Sequence, residues 1–172
     1  LSDEEFAKDL ALMRRIVRLA KQRNLKTVWY YPALEVLTVG GENQPNSMYK
    51  DHPDWVQLSA NGSPNVFYGS KVFWVNPGDE SAWMEPLSGW RNVYISRVKQ
   101  IAQTGVDGLW LDVPLYNDIV GRWASQHPDS NLKFSTDTGY NVPTLVAADE
   151  LDMSADNTRV WMNWRHHELD LF

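Results

Sequence analysis

The stretch GVDGLWLDVPLYND, residues 105–118, decides which fold class the sequence predicts. It contains a continuous apolar run, GLWL, of the kind that forms a strand covered on both faces in a parallel sheet. The run ends on Asp112, and a proline-containing loop follows. A carboxylate at the end of a buried strand costs free energy unless another group satisfies it or a function uses it. Asp112 is therefore either a functional residue or a local cap or anchor of its own loop.

A predicted helix precedes this strand, and the same order occurs earlier in the chain. Residues 90–102 have apolar side chains at helical spacing, and Gly105 lies near the expected helix end. Earlier, residues 3–23 have the spacing of an amphipathic helix, Asn24 is a helix stop, and residues 28–31 are rich in β-forming side chains. Two copies of helix, short turn and buried strand are typical of parallel βα units.

In parallel βα folds the active site lies at the carboxyl ends of the strands. We therefore expect Asp112, Tyr31 and Glu35 at one end of the sheet, together with Trp110 and Tyr116 beside the aspartate. Tyr30 and Tyr31 alternate faces on the strand, so at most one of them points into the site. Asp107 begins the strand, so it is expected at the opposite end, where it stabilises the fold.

The sequence between the two βα units lacks regular periodicity. Residues 38–88 are rich in turn-forming residues, with short apolar pieces between them, and Asn61-Gly62 is a hairpin signal. Long irregular segments are uncommon unless they have a function, so we interpret this one as an insertion on the substrate side. After Asp112 the sequence predicts loop with at most one short helix, a polar connection, and a last helical segment from about residue 158.

Composition excludes several classes of function. A net charge of −6 with no basic stripe argues against nucleic-acid binding. The chain has no cysteine, which excludes a thiolate nucleophile and zinc bound by cysteine. No apolar run has the length of a membrane span. The motifs of α/β-hydrolases, P-loop proteins and dinucleotide enzymes are also missing.

Nine tryptophans are unusual for 172 residues and suggest carbohydrate, because flat amphipathic rings stack on sugar faces. His52 and Trp55 are the best binding candidates, since an imidazole hydrogen-bonds hydroxyls and an indole covers a ring face. The alternative is a packed turn. Trp74 and Asn76 are further candidates from the insertion.

Several segments resemble those of one enzyme superfamily. GVDGLWLDVP resembles the fourth strand of retaining (β/α)8 glycoside hydrolases such as the α-L-fucosidase-like and dextranase-like barrels, where a DG-aromatic-apolar-D strand ends in the nucleophile. HPDWVQLSANGSP (52–64) is similar to a segment of glycosyl hydrolases related to the fucosidase and β-galactosidase barrels. KFSTDTGYNVP (133–143) and VWMNWRHHELDLF (160–172) resemble segments downstream of that strand. The cysteines often found between these segments are missing here.

The resemblance implies an α/β fold of the (β/α)8 TIM-barrel type. Because an eight-stranded barrel takes about 250 residues, the chain would hold only a segment of it, with two of the eight strands. The resemblance also implies that Asp112 is the nucleophile and that the acid/base lies on a later strand, beyond Phe172. No cofactor or metal is expected.

The chemistry of glycoside cleavage gives a separate reason to look for a second carboxyl group. Retaining hydrolysis needs two carboxyls about 5–5.5 Å apart, and inverting hydrolysis needs about 6.5–9.5 Å. Glu35 is the one other carboxylate that the sequence places near the same end, with a solvated loop glutamate as the alternative. Residues 165–168, RHHE, are interpreted as a solvated helix start and not as a metal site, because adjacent histidines diverge on a helix.

The sequence therefore predicts a retaining glycoside hydrolase that acts on an oligo- or polysaccharide. A carbohydrate-binding protein without catalysis and a metal-assisted hydrolase or deacetylase remain the alternatives. The expected partner is a carbohydrate, with neither nucleic acid nor membrane. An extracellular or periplasmic location is expected from the substrate class alone.

Overall fold

A computed structural model describes residues 3–118, 123, 126–147 and 150–172. The chain divides into two compact units, one made of Leu1–Ala33 with Asn92–Pro114 and the other of Leu34–Arg91 with Leu115–Phe172. In chain order the elements are α1 (Asp3–Lys21), β1 (Val28–Pro32), β2 (Glu35–Thr38), α2 (Met48–Asp51), a 3-10 turn (Pro53–Trp55), β3 (Val66–Tyr68), β4 (Glu80–Trp83), α3 (Trp90–Ala102), β5 (Gly108–Asp112), α4 (Pro128–Thr138), β6 (Leu145–Ala147), β7 (Glu150–Leu151) and α5 (Asp156–Leu171).

Helix α1 forms where the sequence predicts it. Its first turn is acidic and its last turn is basic, which complements the helix dipole, and its buried residues lie on one face. Asn24 ends the helix with a left-handed backbone at φ 54°, and the amide of Leu25 donates to the carbonyl of Ala20. The predicted helix stop at Asn24 is confirmed.

In the first unit, helices α1 and α3 pack on one face of a two-stranded sheet. Strands β1 and β5 pair in parallel, with Tyr30 opposite Trp110 and Pro32 opposite Asp112. Because side chains alternate along a strand, Trp29 and Tyr31 lie on the face that packs on α1 and α3. The core of this unit consists of Phe6, Leu10 and Ile101, with Trp29, Tyr31, Val106 and Leu109 against it.

The second unit contains antiparallel sheets. Strands β2, β4 and β3 form one sheet in that order, and β6 pairs with β7. The Asn61-Gly62 turn joins Leu58 and Pro64 in an antiparallel bridge, as predicted. The sequence does not predict β2, β3 and β4. These strands have three or four residues each, and β4 reads ESAW, in which the buried Glu80 interrupts any apolar pattern.

Helices α4 and α5 build an aromatic core in the second unit. Phe134, Leu151, Trp161 and Trp164 form this core. Helix α5 confirms the predicted C-terminal helical segment, but α4 overlaps the part expected to be a polar connection. Its signals are nevertheless present in the sequence: His127 accepts from the amide of Asp129, Pro128 starts the helix, and Gly139 ends it at φ 74°.

The expected TIM barrel is wrong. A barrel closes only when each parallel strand bonds to two parallel neighbours, whereas β1 and β5 form a sheet of two strands by themselves. All the other strands in the described part of the chain belong to antiparallel sheets. The physical reason is that the residues following β1 turn into the antiparallel strand β2 after Ala33 and Leu34, where a barrel needs a crossover helix.

Candidate functional site

The candidate site in the first unit is the end of β5, where Asp112 lies. The strand runs Gly108–Asp112, so the aspartate is its last residue, as the sequence predicts. Parallel pairing in register places Tyr30, Trp110 and Asp112 on one face of the sheet. This is the face opposite to the core formed with α1 and α3.

The carboxylate of Asp112 is held by two donors. The hydroxyl of Tyr30 donates to Oδ2 at 2.5 Å, and the amide of Val113 donates to Oδ1 at 3.0 Å. The residue is half-buried, so its carboxylate is oriented by its neighbours without being sealed from solvent. The amide of Val113 belongs to the turn that follows Asp112, as expected if this residue anchors its own loop. The other donor comes from the neighbouring strand.

Val113 has a strained backbone at φ 47°. A β-branched residue in the left-handed region is a true outlier, and such strain costs about 1–3 kcal/mol. Strained residues concentrate at functional sites, where the rest of the structure holds them in place. The strain at Val113 fixes the direction in which the chain leaves β5 and so helps to present Asp112.

The face around Asp112 is aromatic and open. Trp110 is 65 % exposed and Tyr30 is 56 % exposed, and Val28 on the same face is also exposed. Large side chains with this exposure form a flat surface next to a carboxylate. Such a surface can stack on an apolar ring face while the carboxylate accepts from hydroxyl groups.

Tyr31, the tyrosine that the sequence analysis placed in the site, lies on the opposite face. Its ring stacks on Tyr94 with centroids 5.3 Å apart and also contacts Phe6. Burial raises the pKa of Tyr31, and the guanidinium of Arg97 offsets part of that effect. The tyrosine that contacts Asp112 is Tyr30, because strand alternation assigns the two tyrosines to different faces.

Asp107 lies at the other end of β5, as predicted. Its carboxylate accepts from the ammonium of Lys26 at 3.0 Å and from the amide and hydroxyl of Thr27 at 2.9 and 3.2 Å. These hydrogen bonds, with the amide of Thr27 first, lower the pKa of Asp107 to about 2. The contacts tie the start of β5 to the start of β1.

In the second unit, His52 and Trp55 form a stacked pair. Their ring centroids are 3.7 Å apart and the rings are nearly parallel, at 6°. A Cβ atom on Gly89 would lie 2.5 Å from the indole of Trp55, so the backbone at Gly89 packs closely against this ring. Both rings are half-buried. The arrangement is a packed turn, the alternative stated for these residues, and it leaves part of each ring open to solvent.

Trp74 lies on an aromatic loop of the second unit. Its ring makes edge contacts with Phe67 and Phe73, at centroid distances of 5.6 and 5.1 Å. Asn76 donates to Asp79 at 3.4 Å in the same loop. Both predicted residues are exposed.

The remaining predicted residues of the second unit have structural contacts. Glu35 begins β2, and its carboxylate accepts from Ser81 at 2.7 Å. Tyr116 is buried, with the guanidinium of Arg165 4.5 Å from its ring centroid. The same guanidinium lies 4.3 Å from the ring centroid of Trp161.

Residues 165–168 are not a solvated helix start. They lie inside α5, and Arg165 and Glu168 are buried while the two histidines are exposed. Arg165 donates from Nη2 to both oxygens of Asp118 at 2.9 Å, and Glu168 pairs with Lys133 at 3.0 Å. Consecutive residues lie on different sides of a helix, so Arg165 and Glu168 can face the core while the two histidines face solvent.

A buried acid that the sequence analysis missed is Glu85. It accepts from the hydroxyl of Ser130 at 2.7 Å, while its Oε2 atom has no partner among the described residues. Burial raises the pKa of Glu85, and hydrogen bonding from Ser130 and the charges of His127 and Arg165 oppose that effect. No sequence motif marks this residue, since its burial depends on contacts with residues more than 40 positions away.

The predicted site residues therefore fall into two groups. Trp110, Asp112 and Tyr31 belong to the first unit, and the second unit holds the rest, namely Glu35, His52, Trp55, Trp74, Asn76 and Tyr116. A common cleft for both groups stays a prediction. Within the described ranges, no cluster of three or more His, Cys, Asp or Glu residues could hold a metal ion.

Comparisons with protein-family models, with curated proteins and with solved structures find no match for this chain. The helices of the described residues include none with the length and apolar character needed to cross a membrane.

Proposed function

We propose that this protein acts on carbohydrate and that the sugar binds on the exposed face formed by Tyr30, Trp110 and Asp112. The observation that carries the proposal is the Tyr30–Asp112 hydrogen bond on a face with two exposed aromatic rings. Aromatic rings cover the apolar faces of sugars, and a carboxylate accepts from their hydroxyls. The resemblance of GVDGLWLDVP to nucleophile strands of glycoside hydrolases supports the same substrate class.

The reaction that we propose is retaining glycoside hydrolysis with Asp112 as the nucleophile. Its carboxylate would attack the anomeric carbon while a second carboxyl protonates the leaving oxygen, and water would then release the sugar from the enzyme. Tyr30 would orient the attacking carboxylate by donating to Oδ2. The acid/base in this proposal is a separate carboxyl group.

The experiment that tests this function uses a panel of aryl glycosides and their 2-deoxy-2-fluoro analogues, which accumulate the glycosyl-enzyme. We expect turnover of at least one aryl glycoside, and mass spectrometry should find the label on the peptide that contains Asp112. Asp112→Asn should abolish both turnover and labelling. The matched control is Asp107→Asn, which changes the same residue type at the other end of the same strand and should keep activity.

A label on another carboxylate, or normal turnover by Asp112→Asn, would show that Asp112 is not the nucleophile. Tyr30→Phe adds a finer test, because it removes one donor from the carboxylate and leaves the ring in place. We expect it to reduce kcat about tenfold or more with little change in KM, since a positioning contact acts mainly on the transition state.

Carbohydrate binding without cleavage is the second candidate. The observation that favours it is that the contacts of Asp112 in the described residues, from Tyr30 and Val113, include no second carboxyl group. If no glycoside is cleaved, titration with oligosaccharides should quench tryptophan fluorescence, and Trp110→Ala should remove that change. Absence of both cleavage and binding would refute the carbohydrate proposal.

A further inference from the structure

The second half of α1 and the turn that follows it hold a local excess of positive charge. No Asp or Glu occurs from residue 10 to residue 34, but this stretch contains six of the 16 Lys and Arg residues of the chain. Elsewhere in the chain, the other 10 are outnumbered by 22 Asp and Glu residues. The net charge of −6 therefore conceals a basic segment.

Five of these six cations are not neutralised by a carboxylate. Lys26 pairs with Asp107, whereas the other five take part in no ion pair with any residue that the structure describes. All five residues are exposed. The helix dipole accounts for cations in the last turn, but its effect does not reach back to Arg14 and Arg15. The five residues are Arg14, Arg15, Arg18, Lys21 and Arg23.

Helix α1 also exposes a row of apolar side chains, which we call the apolar row. It consists of Leu12, Ile16 and Leu19, which repeat at intervals of four and three and so lie along one side of the helix. Their exposed fractions are 55, 43 and 40 %. The residues that α1 buries in the core are different ones. Packing within the first unit therefore does not account for the apolar row.

A cationic row lies beside the apolar row. Arg14, Arg18 and Lys21 have the same spacing of four and three, and at about 100° per residue they project on a neighbouring side of α1. Arg15 projects between the two rows. A basic stripe is therefore present on this helix, contrary to the expectation from the net charge, and exposed apolar side chains accompany it.

We propose that the exposed side of α1 binds the surface of a lipid bilayer that contains anionic lipids. A bilayer surface presents negative charge and apolar groups in one plane, which matches the two rows. The apolar row enters the boundary between headgroups and acyl chains, while Arg15 and Arg18 bind lipid phosphates through two oxygens at once. Their long stems allow the charged ends to stay at headgroup level.

The shape and the charge of α1 favour a bilayer over a protein partner. An exposed helix is a convex ridge, and a fluid bilayer adapts to it, whereas a protein needs a complementary groove. The acidic remainder of the chain opposes binding only weakly, because charges more than about 8 Å from the bilayer are screened at physiological salt. Binding of this kind needs no membrane-spanning helix.

The inference does not depend on the proposed function. Helix α1 packs on the face of the sheet opposite to the one that carries Asp112, and the two rows include no residue of the carbohydrate proposal. Vesicle binding and glycoside turnover can therefore fail separately.

Cosedimentation of the whole chain with vesicles tests the proposal. We expect binding to vesicles of phosphatidylcholine with phosphatidylglycerol, little binding to phosphatidylcholine alone, and weaker binding as salt is added. A Lys or Arg near an anionic surface contributes about fivefold in affinity, so Arg15→Gln with Arg18→Gln should weaken binding about 25-fold. The matched control is Lys71→Gln with Arg159→Gln, which removes the same charge from exposed positions of the second unit and should bind almost as well as the unmodified protein.

A second pair of variants tests the apolar row. Leu12→Ser should weaken binding about three- to tenfold, because one side chain no longer enters the bilayer. Leu132→Ser makes the same change on α4, where the leucine is 71 % exposed, and should leave binding unchanged. Circular dichroism should show the same helix content in all these variants.

The proposal is overturned if the chain does not bind the anionic vesicles at low salt, or if the two charge variants lose affinity equally. An unchanged affinity of Leu12→Ser also overturns it, because the contact would then be electrostatic alone. Equally tight binding of poly-glutamate or of a short DNA duplex would identify a soluble polyanion as the partner and would exclude the bilayer.

Discussion

Removal of the carboxylate at Asp118 should destabilise the protein, because this carboxylate neutralises the buried guanidinium of Arg165. The side chain of Arg165 is 3 % exposed, and its guanidinium contacts the rings of both Tyr116 and Trp161. Asp118 is its ion-pair partner in the described structure, and its Nη2 contacts both oxygens at 2.9 Å. Asp118→Asn therefore leaves a permanent charge buried without its counter-ion.

The size of the effect follows from these contacts. Breaking a buried ion pair by removing one partner costs about 3–5 kcal/mol. Asp118 itself is 31 % exposed, so water can replace part of what is lost and the lower end of that range applies, about 3 kcal/mol. At roughly 2–4 °C per kcal/mol, the Tm should fall by about 6–12 °C.

Urea unfolding followed by far-UV circular dichroism measures this free energy, and the chain provides a matched control. Asp156 pairs with Arg159 on α5, but the two side chains are 68 % and 67 % exposed, so Asp156→Asn should cost less than about 1 kcal/mol. In an Arg165→Met background, Asp118→Asn should cost little, because the buried charge is gone. Equal costs for Asp118→Asn and Asp156→Asn would refute the reasoning.

Three further predictions concern single residues. Val113→Gly should leave the free energy of unfolding unchanged or raise it by up to about 1 kcal/mol, since glycine relieves the strain at φ 47°. If urea unfolding shows that the variant is less stable by more than about 1 kcal/mol, the backbone at Val113 is not strained. The pKa of Glu85 is raised by burial, so the stability that this acid contributes is present below its unfolded pKa and is lost as the pH rises. Glu85→Gln should therefore flatten the fall of Tm as the pH rises above about 4.5, while an unchanged pH profile would contradict the buried acid. The pKa of Asp107 is lowered to about 2, so its contribution to stability is present above the unfolded pKa of 3.8 and is lost as the pH falls through 2. In thermal scans from about pH 5 to pH 2, Asp107→Asn should therefore lose less Tm than the unmodified protein. A fall of Tm as steep as that of the unmodified protein would argue against this contribution.

Sequence reasoning located the elements whose periodicity is strong. Helices α1 and α3 and strands β1 and β5 were predictable because their apolar side chains repeat at the spacing of the element, and the glycine or asparagine after each helix marks its end. Asp112 was predictable as the end of a strand for the same reason. The parallel pairing of β1 with β5 also follows from two helix-turn-strand units.

The barrel was not predictable from these elements, and the resemblance led to it wrongly. Two βα units predict only one pair of parallel strands. The antiparallel sheet of β2, β4 and β3 depends on contacts between residues that are distant in the sequence. All four residues of strand β4 are buried, and Glu80 is one of them, so the strand has neither polar–apolar alternation nor a continuous apolar run. The choice between Tyr30 and Tyr31 was likewise open, because it requires knowing which face of β1 the helices cover.

The contact between Gly89 and the indole of Trp55 restricts how this sequence can change. The Cβ atom of an alanine at position 89 would lie 2.5 Å from an atom of that indole, so a side chain at this position requires the indole to move. A variant with a side chain at 89 should therefore be tolerated better when residue 55 is smaller than tryptophan. The two positions should vary together, and with them His52, whose imidazole stacks on the same indole.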